Sequence, residues 1–293
     1  MFAGIEAGGT KVVCAVGTGP GDLSAVTTVP TTTPEETLGR VIAHLREHGP
    51  VRAVGVACFG PVDLHPDSPS YGHITSTPKP GWQGTDVVGP LQEAFGVPVG
   101  FDTDVNGAAL AEGRWGAARG LDTFVYVTVG TGIGGGAVVS GRLVHGLLHP
   151  EMGHLMVRRH PDDDFAGSCP YHGDCLEGLA SGPALAARWG RPADDLGPHR
   201  DAAVAQEAWY LAELACTLAY VLSPQRVVIG GGVAQMEGLL PAVRSAVVAR
   251  LAGYLDTPAI TRHSDSWLVA PGLGGRAGVL GAIALAEQAF DRE

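Results

Sequence analysis

The hydrophobic and polar positions of the chain predict short strands that alternate with helices. Residues 2–16 are apolar up to a pair of glycines and become apolar and β-branched again after Lys11, which predicts two strands joined by a glycine turn. Residues 124–139 follow the same order around Gly130-Thr131-Gly132, and a shift of 122 positions superposes the two segments. Two such hairpins, one domain apart, predict two similar domains.

The rest of the chain alternates in the same way. Residues 33–47 predict a helix, because Thr33 can cap it, Pro34 fits its first position and its apolar residues share one face. Further strands are predicted in the apolar run that ends at Gly60-Pro61 and over 97–102, 226–233 and 268–270, and further helices over 107–115, within 183–222, and over 238–251 and 276–289. This order is typical of an α/β protein, which we divide into domains 1–115 and 116–293.

Three glycine-rich turns are candidates for nucleotide binding. A dinucleotide fingerprint or a P-loop needs a helix after its glycines, whereas Gly8-Gly9-Thr10 leads into a strand. Its N–H groups and hydroxyl still suit an anion, although most Gly-Gly turns are only turns. Gly130-Thr131-Gly132 repeats the arrangement, so a nucleotide triphosphate would bridge the two. Gly230-Gly231-Gly232 suits the face of a nucleotide base, and tight strand–helix packing explains these glycines equally well.

A cluster of soft ligands predicts a metal site. Cys169-x2-His172-x2-Cys175, with His154 as a fourth ligand, would give tetrahedral zinc two thiolates and two imidazoles and no open position, as in a structural site. The alternatives are a disulfide between Cys169 and Cys175 or two unrelated buried thiols. A redox motif would need a second cysteine in place of His172 and a thioredoxin-like setting, and both are missing.

Carboxylates lie beside these ligands and at the end of a strand. Glu151 and Glu177 belong to the glycine-rich metal segment, where they either hold the hydroxyls of a small polar molecule or are solvated surface groups. Asp102 and Asp104 share one face of an extended chain by period two. Either can cap the following helix or act as a general base, and the local sequence does not choose between them. The proline-rich residues 75–82 form either a cover over the site or a plain surface loop.

The composition of the chain argues against some binding partners and indicates a cellular compartment. The 293 residues carry 19 basic and 30 acidic side chains, a net charge of −11, with no Lys/Arg-rich run, so nucleic acid and anionic membranes are poor partners. We expect no signal peptide and no membrane span. Cys14, Cys58 and Cys216 lie in apolar surroundings, where buried free thiols are the default, and this favours a reducing cytoplasm.

Five motifs together resemble those of the ROK family (repressor, open reading frame, kinase) of sugar kinases. They are Glu6-Ala-Gly-Gly-Thr-Lys11, Gly60-Pro61-Val62-Asp63, Thr103-Asp104-Val105-Asn106, Glu151-Met-Gly-His154 and Cys169-x2-His172-x2-Cys175-x-Glu177. The resemblance covers nearly the whole chain. It implies the two-domain actin-like, sugar kinase and Hsp70 fold, which is ribonuclease H-like, with a cleft between the domains and the terminal helix packed on the first domain.

The resemblance also implies a role for each motif. It assigns Asp104, not Asp102, as the general base. The implied sugar-binding residues are Gly60, Pro61, Thr103, Asp104, Glu151, His154 and Glu177. The implied ATP-binding residues are Gly8, Gly9, Thr10 and Lys11, then Gly130, Thr131 and Gly132 for the phosphates, and Gly230, Gly231 and Gly232 for the adenosine. The implied zinc ligands are His154, Cys169, His172 and Cys175, and Mg²⁺ would accompany ATP.

The expected function is a cytoplasmic fructokinase that phosphorylates the 6-hydroxyl of fructose and forms a homodimer. Glu6, where most relatives carry Asp, and the Thr77 to Trp82 loop are similar to the fructokinase branch, and Thr103 replaces an Asn, which weakens the expectation of glucose as substrate. Family repressors carry a DNA-binding segment before the first motif, and we expect none here. The rival hypotheses are a kinase for mannose, glucose or an amino sugar, and a sugar sensor without catalysis.

Overall fold

The computed structural model describes residues 1–292. The chain forms two compact units, and each has its own sheet. Unit 1 contains Met1–Gly116, Leu143–His149 and the residues from Gly275 onward, and unit 2 contains Ala117–Arg142 and Pro150–Gly274. Among residues 1–292, no helix combines the length and apolar character that a membrane crossing requires.

Unit 1 is built on a five-stranded sheet with the order β3-β2-β1-β4-β5. In chain order its elements are β1 (Phe2–Ala7), β2 (Lys11–Gly17), β3 (Ser24–Pro30), α1 (Pro34–Arg46), β4 (Val54–Cys58), α2 (Val88–Phe95), β5 (Val99–Thr103) and α3 (Asp104–Trp115). Strands β1, β4 and β5 are parallel neighbours, whereas β1, β2 and β3 are joined as antiparallel hairpins. The carboxyl ends of three parallel strands therefore meet at one edge of this sheet.

Unit 2 has a second five-stranded sheet with the order β10-β9-β6-β7-β8. Its elements are β6 (Phe124–Val129), β7 (Ile133–Val139), β8 (Arg142–Leu143), α4 (Leu176–Ala180), α5 (Gly182–Trp189), α6 (Arg200–Val221), β9 (Arg226–Gly230), α7 (Leu239–Leu251), α8 (Pro258–Thr261), α9 (Ser264–Trp267) and β10 (Leu268–Val269). Long helix α6 packs against α7 and buries Tyr210, Leu211 and Leu214. The final helix, α10 (Ala277–Phe290), belongs to unit 1.

Helix α10 lies directly on the unit 1 sheet because three glycines leave room for its backbone. Gly4, Gly55 and Gly100 are register partners on β1, β4 and β5. A Cβ on each would lie 2.9 Å from Val279 O, 1.8 Å from Ala282 O and 2.2 Å from Leu285 O, respectively. All three distances are shorter than a Cβ contact allows. The glycine row therefore sets how closely α10 approaches the sheet.

We predict that Gly55→Ala lowers the free energy of unfolding by about 1–3 kcal/mol, because the added methyl group overpacks the contact with α10. Urea unfolding followed by circular dichroism measures the change. Gly21→Ala is the matched control, since no atom lies within 4 Å of a Cβ at that position. Equal stability of the two variants would show that α10 moves away without cost.

Most of the predicted elements are present, and the differences have local causes. Both predicted hairpins form, and each has a three-residue turn. Helix α3 begins at Asp104 rather than at Gly107, because the Thr103 side chain accepts a hydrogen bond from the Asn106 N–H and caps the helix three residues earlier. Strand β9 ends at Gly230 rather than at Val233. The region 183–222 holds two helices, as predicted.

The proline-rich loop before α2 is fixed by its last residue. Trp82 is 1% exposed, and its indole N–H donates to Thr32 O at 2.8 Å. Its ring packs edge-on against Phe59 with centroids 5.4 Å apart. At its other end Thr77 is buried too, while Pro78 and Pro80 are exposed. The loop is therefore a surface loop held at both ends by the core of unit 1.

Candidate active site and metal centre

Asp104 lies at the carboxyl edge of the unit 1 sheet, as the first residue of α3. The helix cap is Thr103, so the interpretation of either aspartate as the cap is wrong. The Asp104 carboxylate accepts the Val105 N–H at 2.9 Å. Burial raises the pKa of Asp104 to about 6, although its backbone hydrogen bonds act in the opposite direction. A carboxylate with a raised pKa at a strand end suits proton abstraction near neutral pH.

Asp102 has its oxygens engaged by donors. It is buried in β5 and accepts the Thr103 N–H at 2.8 Å and the Asn106 amide at 2.7 Å through one oxygen. Its other oxygen lies 2.9 Å from His145 Nε2. These three contacts hold the Asp102 carboxylate in place within unit 1, an arrangement typical of a structural acceptor. The geometry therefore distinguishes the two aspartates, which the period-two pattern did not.

Glu6 is a second carboxylate close to Asp104, and no chemical role was predicted for it from its motif. It is half-buried near the end of β1, beside the start of α10, where a Cβ on Gly278 would lie 2.2 Å from its carboxyl carbon. Burial and the charge of Asp104 raise the pKa of Glu6 to about 7, against the opposing effects of Lys11 and the Val279 N–H. The position of this acidic residue just before a glycine turn was the sequence feature that could have predicted a role for Glu6.

The turn at Gly8-Gly9-Thr10 is rigid at its base and exposed at its tip. The Gly8 N–H donates to Lys11 O at 3.0 Å, and the Thr31 hydroxyl donates to Gly8 O at 2.7 Å. Gly9, Thr10 and Lys11 are exposed. Such a fixed turn presents its tip to a ligand without further ordering.

The turn at Gly130-Thr131-Gly132 is similarly braced within unit 2. The Gly130 N–H donates to Gly132 O at 2.9 Å, and the Gly182 N–H donates to Gly130 O at 2.7 Å. Glu177, in the first turn of α4, accepts the Ile133 N–H at 2.9 Å. A Cβ on Gly132 would lie 2.6 Å from the same Glu177 oxygen. Glu177 is therefore a half-buried support of this turn and not a solvated surface group.

Two glycines of the third turn are required by packing. A Cβ on Gly230 would lie 2.7 Å from Pro271 and 2.8 Å from the Tyr126 hydroxyl, and a Cβ on Gly231, whose φ is +91°, would lie 2.3 Å from Val129 O. No atom lies within 4 Å of a Cβ at Gly232. Packing thus explains Gly230 and Gly231, while Gly232 remains open for the predicted contact with adenosine.

Gly60-Pro61 follows β4 and is the last group of predicted site residues at the edge of the unit 1 sheet. The peptide bond between them is cis. Pro61 O accepts the Thr75 N–H at 2.8 Å, and the next residue donates its N–H to His149 Nε2 at 3.1 Å. These bonds fix the loop that follows β4 close to the start of α3. Unit 1 thus brings together the first glycine turn, Gly60-Pro61, Thr103 and Asp104 in one sheet-edge region.

The four predicted metal ligands meet in unit 2. Their ligand atoms all lie within 4.8 Å of one another, in the set His154, Cys169, His172 and Cys175. His154 Nδ1 is 3.8 Å from Cys169 Sγ and 3.6 Å from Cys175 Sγ, and His172 Nδ1 is 3.7 Å from Cys169 Sγ. Tetrahedral zinc with ordinary bond lengths requires sulfur–nitrogen separations of about 3.6 Å. The four side chains therefore fit this ion.

Local backbone bonds assemble the cluster. Cys169 and Gly173 exchange backbone hydrogen bonds at 2.9 and 3.1 Å, which folds His172 back toward Cys169. The Leu176 N–H donates to Leu155 O at 2.9 Å and joins the two halves of the cluster. All five cysteines are free thiols, so the disulfide alternative is wrong. Glu151, three residues before His154, is exposed, and its contact with a sugar remains a prediction.

Comparison with known proteins identifies the family. The ROK family profile matches residues 2–289. A fructokinase from Zymomonas mobilis is 49% identical over 294 residues, covering 98% of this chain and 96% of its own length. A putative fructokinase from Bacillus subtilis is 45% identical over 297 residues, covering 100% and 97%. These alignments run through both units of the chain.

A solved structure shares the fold. A ROK family glucokinase from Streptomyces griseus, in complex with glucose and AMPPNP, is 27% identical and superposes with a TM-score of 0.78, covering 98% of this chain and 99% of its own. The expected actin-like sugar kinase fold is therefore confirmed. Together, the matched profile, the relatives and the shared fold show that the chain is an ATP-dependent sugar kinase and that it belongs to the ROK family.

Proposed function

We propose that the protein transfers the γ-phosphoryl group of ATP to the 6-hydroxyl of fructose. The observation that carries the reaction is Asp104, a half-buried carboxylate at the start of α3 with a pKa of about 6, while the neighbouring Asp102 accepts from three donors. The choice of fructose rests on the similarity to proteins named as fructokinases. Asp104 is then the aspartate of this turn with more acceptor capacity left for the substrate.

In the proposed step, the 6-hydroxyl oxygen attacks the γ-phosphorus as Asp104 accepts the hydroxyl proton. The new oxygen–phosphorus bond forms while the bond to the β–γ bridging oxygen breaks, and ADP leaves with that electron pair. Positioning and charge neutralisation supply most of the rate enhancement in such reactions. The residues that fix the start of α3 therefore matter as much as the base itself.

The two glycine turns supply the predicted phosphate contacts. Gly8, Gly9 and Thr10 form one turn and Gly130, Thr131 and Gly132 the other. Lys11 braces the first turn, since its backbone carbonyl accepts the Gly8 N–H. The Mg²⁺ that accompanies ATP would neutralise phosphate charge. Glu6 is the carboxylate beside Asp104 that would face it, and burial together with the charge of Asp104 raises the pKa of Glu6 to about 7.

The sugar would be held by Gly60, Pro61, Thr103, Glu151, His154 and Glu177. His154 is also a member of the metal cluster. A bound zinc ion would supply no chemistry to the reaction and would fix the orientation of this imidazole, as ligands of structural metals are fixed. We also expect a homodimer, which light scattering on purified protein would measure.

We predict the fastest turnover with fructose in a panel that also contains mannose, glucose and N-acetylated amino sugars. ADP release with Mg-ATP is the measurement, and the same reaction without sugar gives the background of ATP hydrolysis. Faster turnover with another sugar would move the specificity but keep the reaction. If the protein binds fructose but no sugar in the panel raises ADP release above the background, the result would favour a sensor and contradict the proposal.

A further inference from the structure

We propose that His145 is a positioning residue that holds Asp104 in place through Asp102 and Asn106. This inference rests on the proposed function, because it concerns the same base. His145 lies in the segment Leu143–His149, which belongs to unit 1 although the residues on both sides of it belong to unit 2. Nothing in the ROK motifs singles out this histidine.

The hydrogen bond between His145 and Asp102 has a defined direction. His145 Nε2 lies 2.9 Å from Asp102 Oδ2 and 3.3 Å from the Asn106 amide nitrogen. A carboxylate has no proton to donate, so Nε2 must donate to Asp102, and it cannot also accept from Asn106. The hydrogen bond to Asp102 also raises the pKa of His145, while burial and Arg292 act in the opposite direction. Charge-assisted bonds of this kind are the stronger class.

Asp102 in turn clamps the residues on either side of Asp104. Its Oδ1 accepts the Thr103 N–H and the Asn106 amide, at 2.8 and 2.7 Å. Thr103 and Asn106 are also joined to each other, because the Thr103 hydroxyl accepts the Asn106 N–H at 3.1 Å. Asp104 lies within this closed turn. Rotation of the Asp102 carboxylate would therefore loosen the backbone that carries the base.

The hydrogen bonds of Asp102 to Thr103 and Asn106 leave one polar atom of Asn106 unpaired among the described residues. Its amide nitrogen must face Asp102, which leaves Oδ1 turned away, and within residues 1–292 this fully buried oxygen has no hydrogen-bond partner. A buried unpaired acceptor destabilises the folded state. The orientation persists because Asp102 is held from its other side by His145. Without His145, Asp102 Oδ2 loses its donor, and the carboxylate is held only through Oδ1.

The test compares His145→Ala with His145→Gln. The alanine variant should lower kcat about ten-fold or more, since small misplacements of a catalytic group have effects of this size, and should leave the KM for ATP unchanged. A loosened turn also admits water to Asp104, so the acid limb of kcat should move below pH 6. Glutamine places a neutral N–H donor near the position of Nε2 and should restore kcat to within about three-fold of wild type.

Two controls separate positioning from general damage. His65→Ala removes a different histidine whose ring nitrogen contacts the same segment, at Leu147 O, and should change neither kcat nor the acid limb. The titratable groups facing the network are Arg292 near His145, Tyr71 near Asp102, and Glu6 and Cys58 near Asp104. These groups are unchanged in every variant. The histidine titration, followed by NMR, should shift to lower pH in Asp102→Asn whether or not the enzyme turns over.

The outcomes distinguish this inference from the proposed function. Wild-type protein that phosphorylates no sugar would remove the proposed function. An active wild type, together with a His145→Ala variant of equal kcat and equal acid limb, would overturn only the role of His145. A glutamine variant as slow as the alanine variant would also overturn it, because the retained donor would then have no effect. Thermal melting of each variant confirms that the compared proteins are folded.

Discussion

Asp104→Asn should lower kcat by about 10²–10⁴-fold, the range for loss of a general base, while fructose and ATP still bind. Asparagine keeps the size of the side chain and still accepts the Val105 N–H through its oxygen, but it cannot take up the hydroxyl proton. Steady-state ADP release measures kcat, and calorimetric titration with sugar measures binding. The loss should therefore appear in turnover rather than in affinity.

Asp22→Asn is the matched control for this substitution. Asp22 is exposed in the loop between β2 and β3 and hydrogen-bonds with Thr18 and Gly19, so its replacement should leave kcat within two-fold, as expected for a surface change. An Asp104→Asn variant that retained more than a tenth of wild-type kcat would contradict the assignment of the base. Asp102 would not then replace it automatically, since its oxygens are engaged by three donors.

The same assignment determines the pH dependence. The base must be unprotonated, and burial raises the pKa of Asp104 from 3.8 to about 6, so kcat should fall as the pH drops below about 6. The folded pKa lies above the unfolded value, and the folded state therefore loses stability as the pH rises between these two values. Above pH 7, Asp104→Asn should accordingly be more stable than wild type, by at most about 3 kcal/mol. Urea unfolding at pH 8 measures this difference.

Local sequence was sufficient to predict the two hairpins and the metal cluster. In both hairpins the apolar runs stop at glycines and resume at once, and the three-residue turns follow directly. The metal ligands lie within 22 residues of one another, from His154 to Cys175, so their spacing already limits their geometry. Such features depend on near neighbours, and patterns along the chain report near neighbours well.

The start of α3 was predicted incorrectly because two local signals compete there. Thr103 and both aspartates are all good capping residues, and the prediction left Asp104 between the strand over 97–102 and the helix over 107–115. The contacts of Asp102 determine that it stays in β5 and that the helix begins after it, since the Asn106 amide and His145 hold it in the sheet. His145 lies 43 residues away in sequence. No periodicity near Asp102 could have revealed this partner.

The glycine row beneath α10 was also not predictable from the sequence alone. Gly4, Gly55 and Gly100 lie in three separate strands, and each alone suggests only a weak point in a strand. Their common reason appears when the parallel register aligns them under one helix. The same helix begins beside Glu6. The small residues of the sheet therefore allow the start of α10 to lie close to Glu6. The sequence alone did not indicate that Glu6 and Asp104 lie near each other.

Cys175→Ser should remove the bound metal and lower the stability of unit 2 by about 3 kcal/mol or more, because the binding free energy of a structural zinc is also folding free energy. Cys175 Sγ is buried and lies 3.6 Å from His154 Nδ1, so a serine hydroxyl replaces a strong zinc ligand by a poor one. For a unit of this size the melting temperature should fall by roughly 6–12 °C. Elemental analysis should find about one zinc per wild-type chain and well below one in the variant.

Cys216→Ala is the control, because Cys216 is also a buried free thiol but contacts Val247 O in the α6–α7 packing, away from the metal cluster. It should keep its zinc while losing some packing energy. His172→Ala then separates structure from catalysis, since His172 is the exposed ligand and has no predicted sugar contact. If zinc fixes His154, this variant should raise the KM for fructose more than it lowers kcat. Wild-type protein with well below one zinc per chain, and a His172→Ala variant as stable as wild type, would show that the cluster holds no structural metal.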